Sequence, residues 1–179
     1  MKTILITGGS EGLGREIARR LAQSNKVVIL APSQEKTQEA AQEIGCDYVV
    51  ADVSDYGQVE AAVSSVIEKF GSVDVLINNA GLWIEGPLEE NDPKRIADVV
   101  HVNTVGPMFL TRALLPHFKH NGKGVIINVI SQAGLYGKAL RSVYHASKWA
   151  VTGFTKSLQE ELKGTGIDCS ARRGIWLVS

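Results

Sequence analysis

The sequence predicts an α/β fold, a doubly wound parallel sheet in a single domain. Short runs rich in valine and isoleucine alternate with amphipathic runs whose apolar residues recur at steps of three and four. The short runs are apolar on both faces, which is typical of strands covered by helices on each side. Strand alternating with helix predicts right-handed βαβ units. The length of 179 residues fits one domain with one core.

The predicted strands are six in number, and prolines mark the helix between the fourth and the fifth. The strands cover residues 4–7, 27–31, 48–51, 73–78, 125–131 and, on the weakest pattern, 167–170. Asp92 followed by Pro93 predicts a helix start, with an N-cap and a proline in the first turn. Pro107 and Pro116 lie further along, so we expect this helix to be kinked or interrupted.

Composition excludes several classes of partner. The formal net charge is zero and no block of like charges occurs, so the chain has no electrostatic footprint for nucleic acid or for an anionic membrane. Cys46 and Cys169 lie far apart without metal-ligand spacing, and they fit reduced thiols. No signal peptide or run of transmembrane length is present. We therefore expect a cytoplasmic protein without a metal site, a nucleic-acid partner or a membrane.

A glycine-rich turn, TGGSEGLG at residues 7–14, follows the first predicted strand and opens a helix. Gly8, Gly12 and Gly14 let the backbone turn tightly and approach a pyrophosphate, and the helix N-terminus supplies N–H donors. Many βα turns carry glycines, but this position favours a dinucleotide site. The spacing is Gly-x-x-x-Gly-x-Gly, which differs from the usual Gly-x-Gly-x-x-Gly.

Polar residues at the ends of the next strands have two readings each. The end of the second strand, Ala31-Pro32-Ser33, lacks the carboxylate that usually holds the adenosine ribose. Asp52 either accepts a hydrogen bond from an adenine amino group or caps the following helix. Asn79, Ala80 and Gly81 either form a simple turn or brace the cofactor loop.

The segment 131–148 holds the candidate catalytic residues. Tyr144 and Lys148 are four apart on a predicted helix and share a face, although such a pair is also common on surfaces. An ammonium group beside a phenol favours the phenolate, so we expect Lys148 to lower the pKa of Tyr144. Ser131 ends the preceding strand and can hydrogen-bond a substrate oxygen. Asn103, in an apolar helical stretch, is either a structural pin or the holder of an active-site water.

Over residues 3–168 these motifs, in this order and spacing, resemble the short-chain dehydrogenase/reductase family. The resemblance implies that Tyr144 is the general acid/base, that Lys148 lowers its pKa and holds the nicotinamide ribose, and that Ser131 polarises the substrate carbonyl. It implies that Asn103 fixes a proton-relay water. The cofactor contacts that we predict, besides Tyr144 and Lys148, are Thr7, Gly8, Gly12, Leu13, Gly14, Ser33, Asp52, Val53, Asn79, Ala80 and Gly81.

The function that follows is an NAD(P)-dependent oxidoreductase interconverting a carbonyl and an alcohol. NADP is favoured over NAD because Ser33 can donate to a 2′-phosphate and Arg15 or Lys36 can reach it, whereas Glu11 counts against this choice. The alternatives are a non-catalytic nucleotide-binding sensor on the same fold, an inactive truncated product, and an isomerase or dehydratase. The resemblance also implies a homodimer through the helices of Asn103 and Tyr144.

The end of the chain departs from the family pattern. Relatives continue past the sixth strand through a Pro-Gly turn, a substrate loop, a helix and a further strand, so we expect this chain to lack the last strand and helix. We predict a domain over residues 1–171 and an atypical tail over 172–179. Two aromatic residues near the candidate site receive structural interpretations. Trp83 either borders the substrate pocket or packs in the core, and we favour the core; we expect His145 to face solvent, about a hundred degrees around its helix from Tyr144.

Overall fold

In the computed structural model, which describes residues 1–173, one parallel sheet is covered by helices on both faces. The predicted fold class is confirmed. The strands are β1 Thr3–Thr7, β2 Lys26–Ala31, β3 Asp47–Val50, β4 Val75–Asn78, β5 Gly124–Ile130 and β6 Ile167–Arg173. The helices are α1 Gly12–Leu21, α2 Gln34–Ile44, α3 Tyr56–Phe70, α4 Pro93–Val100, α5 Gly106–Asn121 and α6 Ser142–Glu161. Residues 174–179 of the predicted tail lie outside the described residues.

The strand order β3-β2-β1-β4-β5-β6 places a topological switch point between β1 and β4. These two strands are neighbours in parallel register, with Ile4 opposite Val75 and Ile6 opposite Ile77. The chain leaves β1 toward β2 on one side and enters β4 on the other. Ligands of such sheets bind in the crevice at the carboxyl ends of the strands flanking the switch point. The fold thus directs attention to the segments that follow β1 and β4.

Two apolar layers hold the helices onto the sheet. Leu5 of β1 faces a layer with Val63 of α3, Leu114 of α5 and Leu158 of α6, all buried. Its neighbour Ile6 faces the opposite layer, which contains Ala18 of α1 and Ala41 of α2. Successive strand residues point to opposite faces, so a strand in the middle of the sheet is apolar at every position. This is the pattern that the sequence showed.

A π-helical turn, His101–Val105, joins α4 to α5. In this turn the Gly106 N–H donates a hydrogen bond to the His101 carbonyl, which lies five residues earlier. An α-helical turn would pair the Asn103 carbonyl with the N–H of residue 107, and Pro107 has none. The predicted interruption is confirmed here. At Pro116 the helix is not interrupted, because α5 continues through that residue to Asn121.

β6 is longer than predicted. It pairs in parallel with β5 from Ile167, opposite Gly124, to Arg173, opposite Ile130. The expected strand ended at residue 170, because the polar and charged residues that follow do not look like a buried strand. Burial falls along β6 toward Arg173, which is exposed, as suits the outermost strand of the described sheet. The predicted domain boundary at residue 171 falls inside this strand.

Candidate active site

A cleft of about 650 Å³ lies at the switch point, formed by the β1–α1 turn and the ends of β2, β3 and β4. It meets a pocket of about 40 Å³ that is lined by Ser131, Tyr144 and Lys148. The cleft and the pocket share four lining residues, Leu13, Asn79, Gly81 and Leu82. The structure therefore brings together the two groups of residues that the sequence analysis singled out. Of the predicted contacts the cleft is lined by Gly8, Gly12, Leu13, Ser33, Asp52, Val53, Asn79, Ala80 and Gly81.

The glycine turn is packed tightly on its inner side. Gly8 has φ +65°, and its N–H donates to the Leu30 carbonyl at 2.8 Å. A Cβ on Gly14 would lie 2.2 Å from the Gly8 carbonyl oxygen. A Cβ on Gly12 would meet nothing within 4 Å, so the outer side of the turn is open. Gly14 shapes the turn from behind, and the open side leaves room for a bound phosphate group.

Thr7 and Asn79 fasten this turn to the end of β4. The Thr7 hydroxyl accepts hydrogen bonds from the N–H groups of Asn79 and Ala80, both at 3.0 Å. The Asn79 side-chain amide donates to the carbonyls of Thr7 at 3.1 Å and Gly8 at 3.3 Å. Thr7 is buried and does not line the cleft, in contrast to Asn79. These contacts hold the glycine turn against the other side of the switch point.

Charged residues at the outer end of the cleft are paired. Lys36 donates to Glu11 at 2.6 Å, and this hydrogen bond raises the pKa of Lys36. Both residues line the cleft. Ser33 caps α2, with its hydroxyl accepting the Lys36 N–H at 3.5 Å. Arg15 is not one of the described residues that line the cleft. Its guanidinium pairs with Glu43 on α2. Lys36 is thus the cation beside the end of β2.

Asp52 does not cap the next helix. That role belongs to Asp55, whose carboxylate accepts the Gln58 N–H at 3.1 Å and whose pKa is lowered by this bond. Asp52 instead closes a local turn, where one carboxylate oxygen accepts from both the N–H and the hydroxyl of Ser54. Val53 is buried beside it, and both residues line the cleft. The adenine contact of Asp52 stays a prediction.

Lys148 is buried at the junction of the cleft and the pocket. Its ammonium group donates to the Val129 carbonyl at 3.3 Å and lies 5.9 Å from the centroid of the Tyr144 ring. Burial lowers the pKa of Lys148 to about 8, because water no longer solvates the charge. A Cβ on Gly81 would lie 3.6 Å from this ammonium group, in ordinary van der Waals contact with it.

Asn103 joins the π turn to two other parts of the site. Its side-chain oxygen accepts from the Leu82 N–H at 2.6 Å, and its amide donates to the Leu82 carbonyl at 2.9 Å and to Ser147 at 3.0 Å. Ser147 in turn donates to the Tyr144 carbonyl at 2.7 Å. The side chain therefore acts as the structural pin that one interpretation predicted. Its link to a proton-relay water stays a prediction.

Of the two interpretations of Trp83, the structure supports the less favoured one. The indole lies over Tyr144, with ring centroids 4.3 Å apart, and it is 42% exposed, so it borders the pocket instead of packing in the core. Tyr144 is only 2% exposed. Ser131, across the pocket, begins a short 3₁₀ turn, where its hydroxyl accepts the Ala133 N–H at 3.2 Å. Loop residues such as Trp83 lack the periodicity from which sequence predicts a buried side.

The prediction that His145 faces solvent was wrong. The side chain is 7% exposed, and its Nδ1 is hydrogen-bonded to the Tyr136 carbonyl. His145 does lie on a different face of α6 from Tyr144, as the helical spacing predicts, but residues 132–141 fold back over the face that carries His145. The Tyr136 ring lies 6.4 Å from the imidazole, between centroids. His145 therefore ties this loop to the helix that carries Tyr144.

The sequence analysis missed a buried polar chain beneath the site. The Asn78 side-chain amide donates to Asn128 at 2.8 Å, and Asn128 donates to Thr155 of α6 at 2.9 Å. All three residues are buried. The available signal was Asn128 in the middle of an apolar strand, since a buried amide requires partners. These buried hydrogen bonds tie β4, β5 and α6 together below Lys148.

Residues 1–173 contain no group of three or more histidine, cysteine or acidic side chains that could hold a metal ion. Within that same range, no helix is long and apolar enough to cross a membrane. Burial raises the pKa of both thiols, Cys46 and Cys169, to about 11.

Curated proteins that are similar to this chain include dehydrogenases and reductases. The chain is 39% identical to the 2-(R)-hydroxypropyl-CoM dehydrogenase of Xanthobacter autotrophicus, over 95% of this chain and 72% of the relative. It is 37% identical to the ketoacyl reductase HetN of Nostoc, over 94% and 61% respectively. A 3-oxoacyl-acyl-carrier-protein reductase of Staphylococcus aureus is 36% identical, over 99% and 75%. The chain thus spans between 61% and 75% of the length of these relatives.

The same result comes from solved structures and from the family model. A variant of actinorhodin polyketide ketoreductase crystallised with NADPH superposes with a TM-score of 0.95 at 35% identity, covering 99% of this chain and 71% of that one. A short-chain dehydrogenase from Streptomyces avermitilis gives 0.90 at 31% identity, over 96% and 64%. The model that describes the short chain dehydrogenases matches residues 2–172. The chain therefore belongs to the short-chain dehydrogenase family of oxidoreductases.

Proposed function

We propose that the chain reduces a ketone, or oxidises the corresponding alcohol, with NADP(H), and that Tyr144 is the proton donor and acceptor. The observation that carries this proposal is the arrangement of Ser131, Tyr144 and Lys148 around one pocket that adjoins the long cleft. Three groups that can donate hydrogen bonds converge where a carbonyl oxygen can be bound and protonated. The relatives named above are dehydrogenases and reductases, which does not favour the sensor alternative.

The cleft fits a dinucleotide. The glycine turn is open on its outer side at Gly12 and lies at the start of α1, whose N–H groups can bind a pyrophosphate. Asn79 and Gly81 would support the part of the cofactor nearest the pocket, and Asp52 and Val53 would hold the adenine end. When bound, the nicotinamide supplies or accepts the hydride.

The residues of this chain supply the proton and hold the substrate. In the direction of reduction, the Ser131 hydroxyl donates a hydrogen bond to the carbonyl oxygen, and the Tyr144 hydroxyl delivers its proton to that oxygen. The Lys148 ammonium stabilises the phenolate that remains. With its pKa lowered to about 8, Lys148 is still mainly charged at neutral pH. Asn103 positions Tyr144 through Ser147.

NADP(H) is favoured over NAD(H) by the end of β2. No carboxylate stands at Ala31, Pro32 or Ser33 to repel a 2′-phosphate, and Lys36 lines the cleft there. Glu11 opposes this preference, because it pairs with Lys36. A phosphate group would compete with Glu11 for the ammonium, and the Ser33 hydroxyl retains a proton to donate.

We also propose that the protein is a homodimer and that it is located in the cytoplasm. The outer faces of α5 and α6 form a depression of about 410 Å³ with Met108, Leu115 and Phe154 in its lining. Trp149, on the outside of α6, is 50% exposed. Packing two copies through these helices would cover this apolar surface. Sedimentation velocity distinguishes the dimer from a monomer.

Turnover and binding, measured together, test the proposed function. We expect the full chain to oxidise NADPH in the presence of methyl ketones and to release the alcohol, followed by nicotinamide absorbance and by chromatography of the product. We expect a lower Kd for NADPH than for NADH in a fluorescence titration at low salt. Tight cofactor binding without reduction of any ketone would instead support the sensor alternative. Failure to bind either cofactor would contradict both.

A further inference from the structure

Two loops are fastened to each other above Tyr144. One loop, residues 79–87, follows β4, and the other, residues 131–141, precedes α6. The Gly86 N–H donates to the Leu140 carbonyl at 2.8 Å. The Arg141 guanidinium pairs with Glu85, with Nη2 3.0 Å and Nε 3.1 Å from the same carboxylate oxygen. The two loops thus meet through a backbone bond and an ion pair.

The backbone at this junction is strained. Leu140 has φ +64° and is the single non-glycine residue with positive φ within residues 1–173. This region is sparsely populated by residues with a branched side chain, and it persists where surrounding contacts impose it. The bond from Gly86 holds the Leu140 carbonyl, and Arg141 follows directly in the chain. The strained residue therefore directly precedes Arg141, whose side chain crosses from one loop to the other.

Trp83 lies beneath this junction and covers Tyr144. The Arg141 guanidinium carbon is 4.8 Å from the centroid of the indole, and the Tyr144 ring is 4.3 Å from it. Arg95 donates to the Trp83 carbonyl at 3.3 Å and so holds the backbone of this residue. The indole is 42% exposed while the phenol ring is 2% exposed. A partly exposed loop residue therefore shields the group that must reach the substrate.

The pocket is too small for a substrate in this arrangement. A volume of 40 Å³ holds on the order of a few water molecules. Its other apolar walls are Val129 and Ile130 of β5, Leu13 of α1, and the partly buried Leu82, whose backbone is held by Asn103. Trp83 is the wall that stands on a loop and faces water. Moving Trp83 therefore opens the pocket with less loss of packing than moving any of the other apolar walls.

We propose that Trp83 is a gate that determines which ketones reach Tyr144, and that the Arg141–Glu85 pair holds the gate closed. This inference rests on the proposed reduction of a carbonyl. The substituent of the ketone takes the place of the indole against the Tyr144 ring. Substituents that are flat and apolar fit this position. Among the described residues that line the pocket, Lys148 is the only cation, so no further cation is present to bind a carboxylate beside the carbonyl.

Substrate selectivity tests the gate. With saturating NADPH, kcat and KM are measured for butanone, acetophenone, 2-acetylnaphthalene and pyruvate in the wild type, Trp83→Ala and Trp83→Phe. We expect Trp83→Ala to raise kcat/KM for 2-acetylnaphthalene relative to butanone by about 10-fold, mainly through KM, and Trp83→Phe to stay within about 3-fold of the wild-type ratio. Tyr48→Ala, an exposed aromatic on β3, is the control. A uniform loss for all ketones in Trp83→Ala would overturn the proposal.

The clamp is tested without turnover. A protein with Trp149→Phe and Trp176→Phe retains Trp83 as its single tryptophan. We expect Arg141→Gln in this background to raise the acrylamide quenching of Trp83 by about 2-fold, because the indole loses the cation that lies on it. Unchanged quenching would overturn the clamp. If no variant reduces any ketone although NADPH binds, the proposed function fails, and the quenching result still decides whether the gate exists.

Discussion

Gly14 offers a strict test of the cofactor turn, because the structure leaves no space for a side chain there. A Cβ would stand 2.2 Å from the Gly8 carbonyl oxygen and 2.4 Å from the side-chain nitrogen of Asn79. Neither neighbour can move freely. The Asn79 amide holds the carbonyls of Thr7 and Gly8, and Gly8 is bonded through its N–H to Leu30. Gly14→Ala must therefore displace the turn.

The destabilisation follows from three effects. Forcing one extra carbon into a packed site costs about 1–3 kcal/mol. Losing the two hydrogen bonds of Asn79 costs about 1 kcal/mol each. Alanine is a better helix former than glycine, which offsets about 1 kcal/mol because Gly14 lies in α1. The net loss is about 2–4 kcal/mol, which corresponds to a fall in Tm of roughly 5–15 °C for a domain of this size.

Thermal unfolding followed by circular dichroism measures this loss, with NADPH fluorescence titration alongside. Gly153→Ala in α6 is the matched control, since its Cβ would meet nothing within 4 Å. We expect this control to gain about 0.5–1 kcal/mol and to bind NADPH as the wild type does. If Gly14→Ala melts and binds like the wild type, the turn is not packed as described and the argument fails.

Three further perturbations have defined outcomes. Asn103→Leu leaves the N–H and the carbonyl of Leu82 without their partner and Ser147 without its donor, so urea unfolding should show a loss of about 2–4 kcal/mol. An unchanged midpoint would contradict the role of this side chain. Lys148, with a pKa of about 8 against 10.5 when unfolded, binds a proton less readily in the folded state. The stability difference between the wild type and Lys148→Met should therefore change by about 2 kcal/mol in favour of the wild type between about pH 7.5 and about pH 9.5, as unfolding of both proteins at each pH would show; the raised pKa values of the two thiols lower the stability of both proteins alike over this range. Ser33→Asp keeps a good helix cap but adds a negative charge, so NADPH affinity should fall about 10-fold relative to NADH in parallel titrations; equal changes for both cofactors would exclude a 2′-phosphate at Ser33.

The sequence patterns were sufficient for the fold and for most of the residues that line the candidate site. Strands buried on both faces have a distinctive apolar run, which is why β1, β2 and β5 were predicted to within one residue at each end. Glycines after β1 and the tyrosine and lysine spacing on α6 depend on local geometry. Local geometry is what a sequence encodes most directly.

The remaining features depend on contacts between distant segments. Trp83 packs on Tyr144 because two loops are fastened together by Arg141 and Glu85, and no periodicity describes loops. His145 is buried because residues 132–141 cover its side of the helix. The extension of β6 to Arg173 comes from pairing with β5 along its whole length, which outweighs the polar character of its last residues.

The proton-transfer role of Tyr144 is the central claim, and removing its hydroxyl tests that claim directly. In Tyr144→Phe the aromatic ring keeps its contact with Trp83, while the acidic proton is lost. We expect ketone reduction at saturating NADPH to fall by at least about 1,000-fold, with a Kd for NADPH within about 3-fold of the wild type. Turnover that survives in this variant with unchanged cofactor binding would contradict the account and assign the proton to another group.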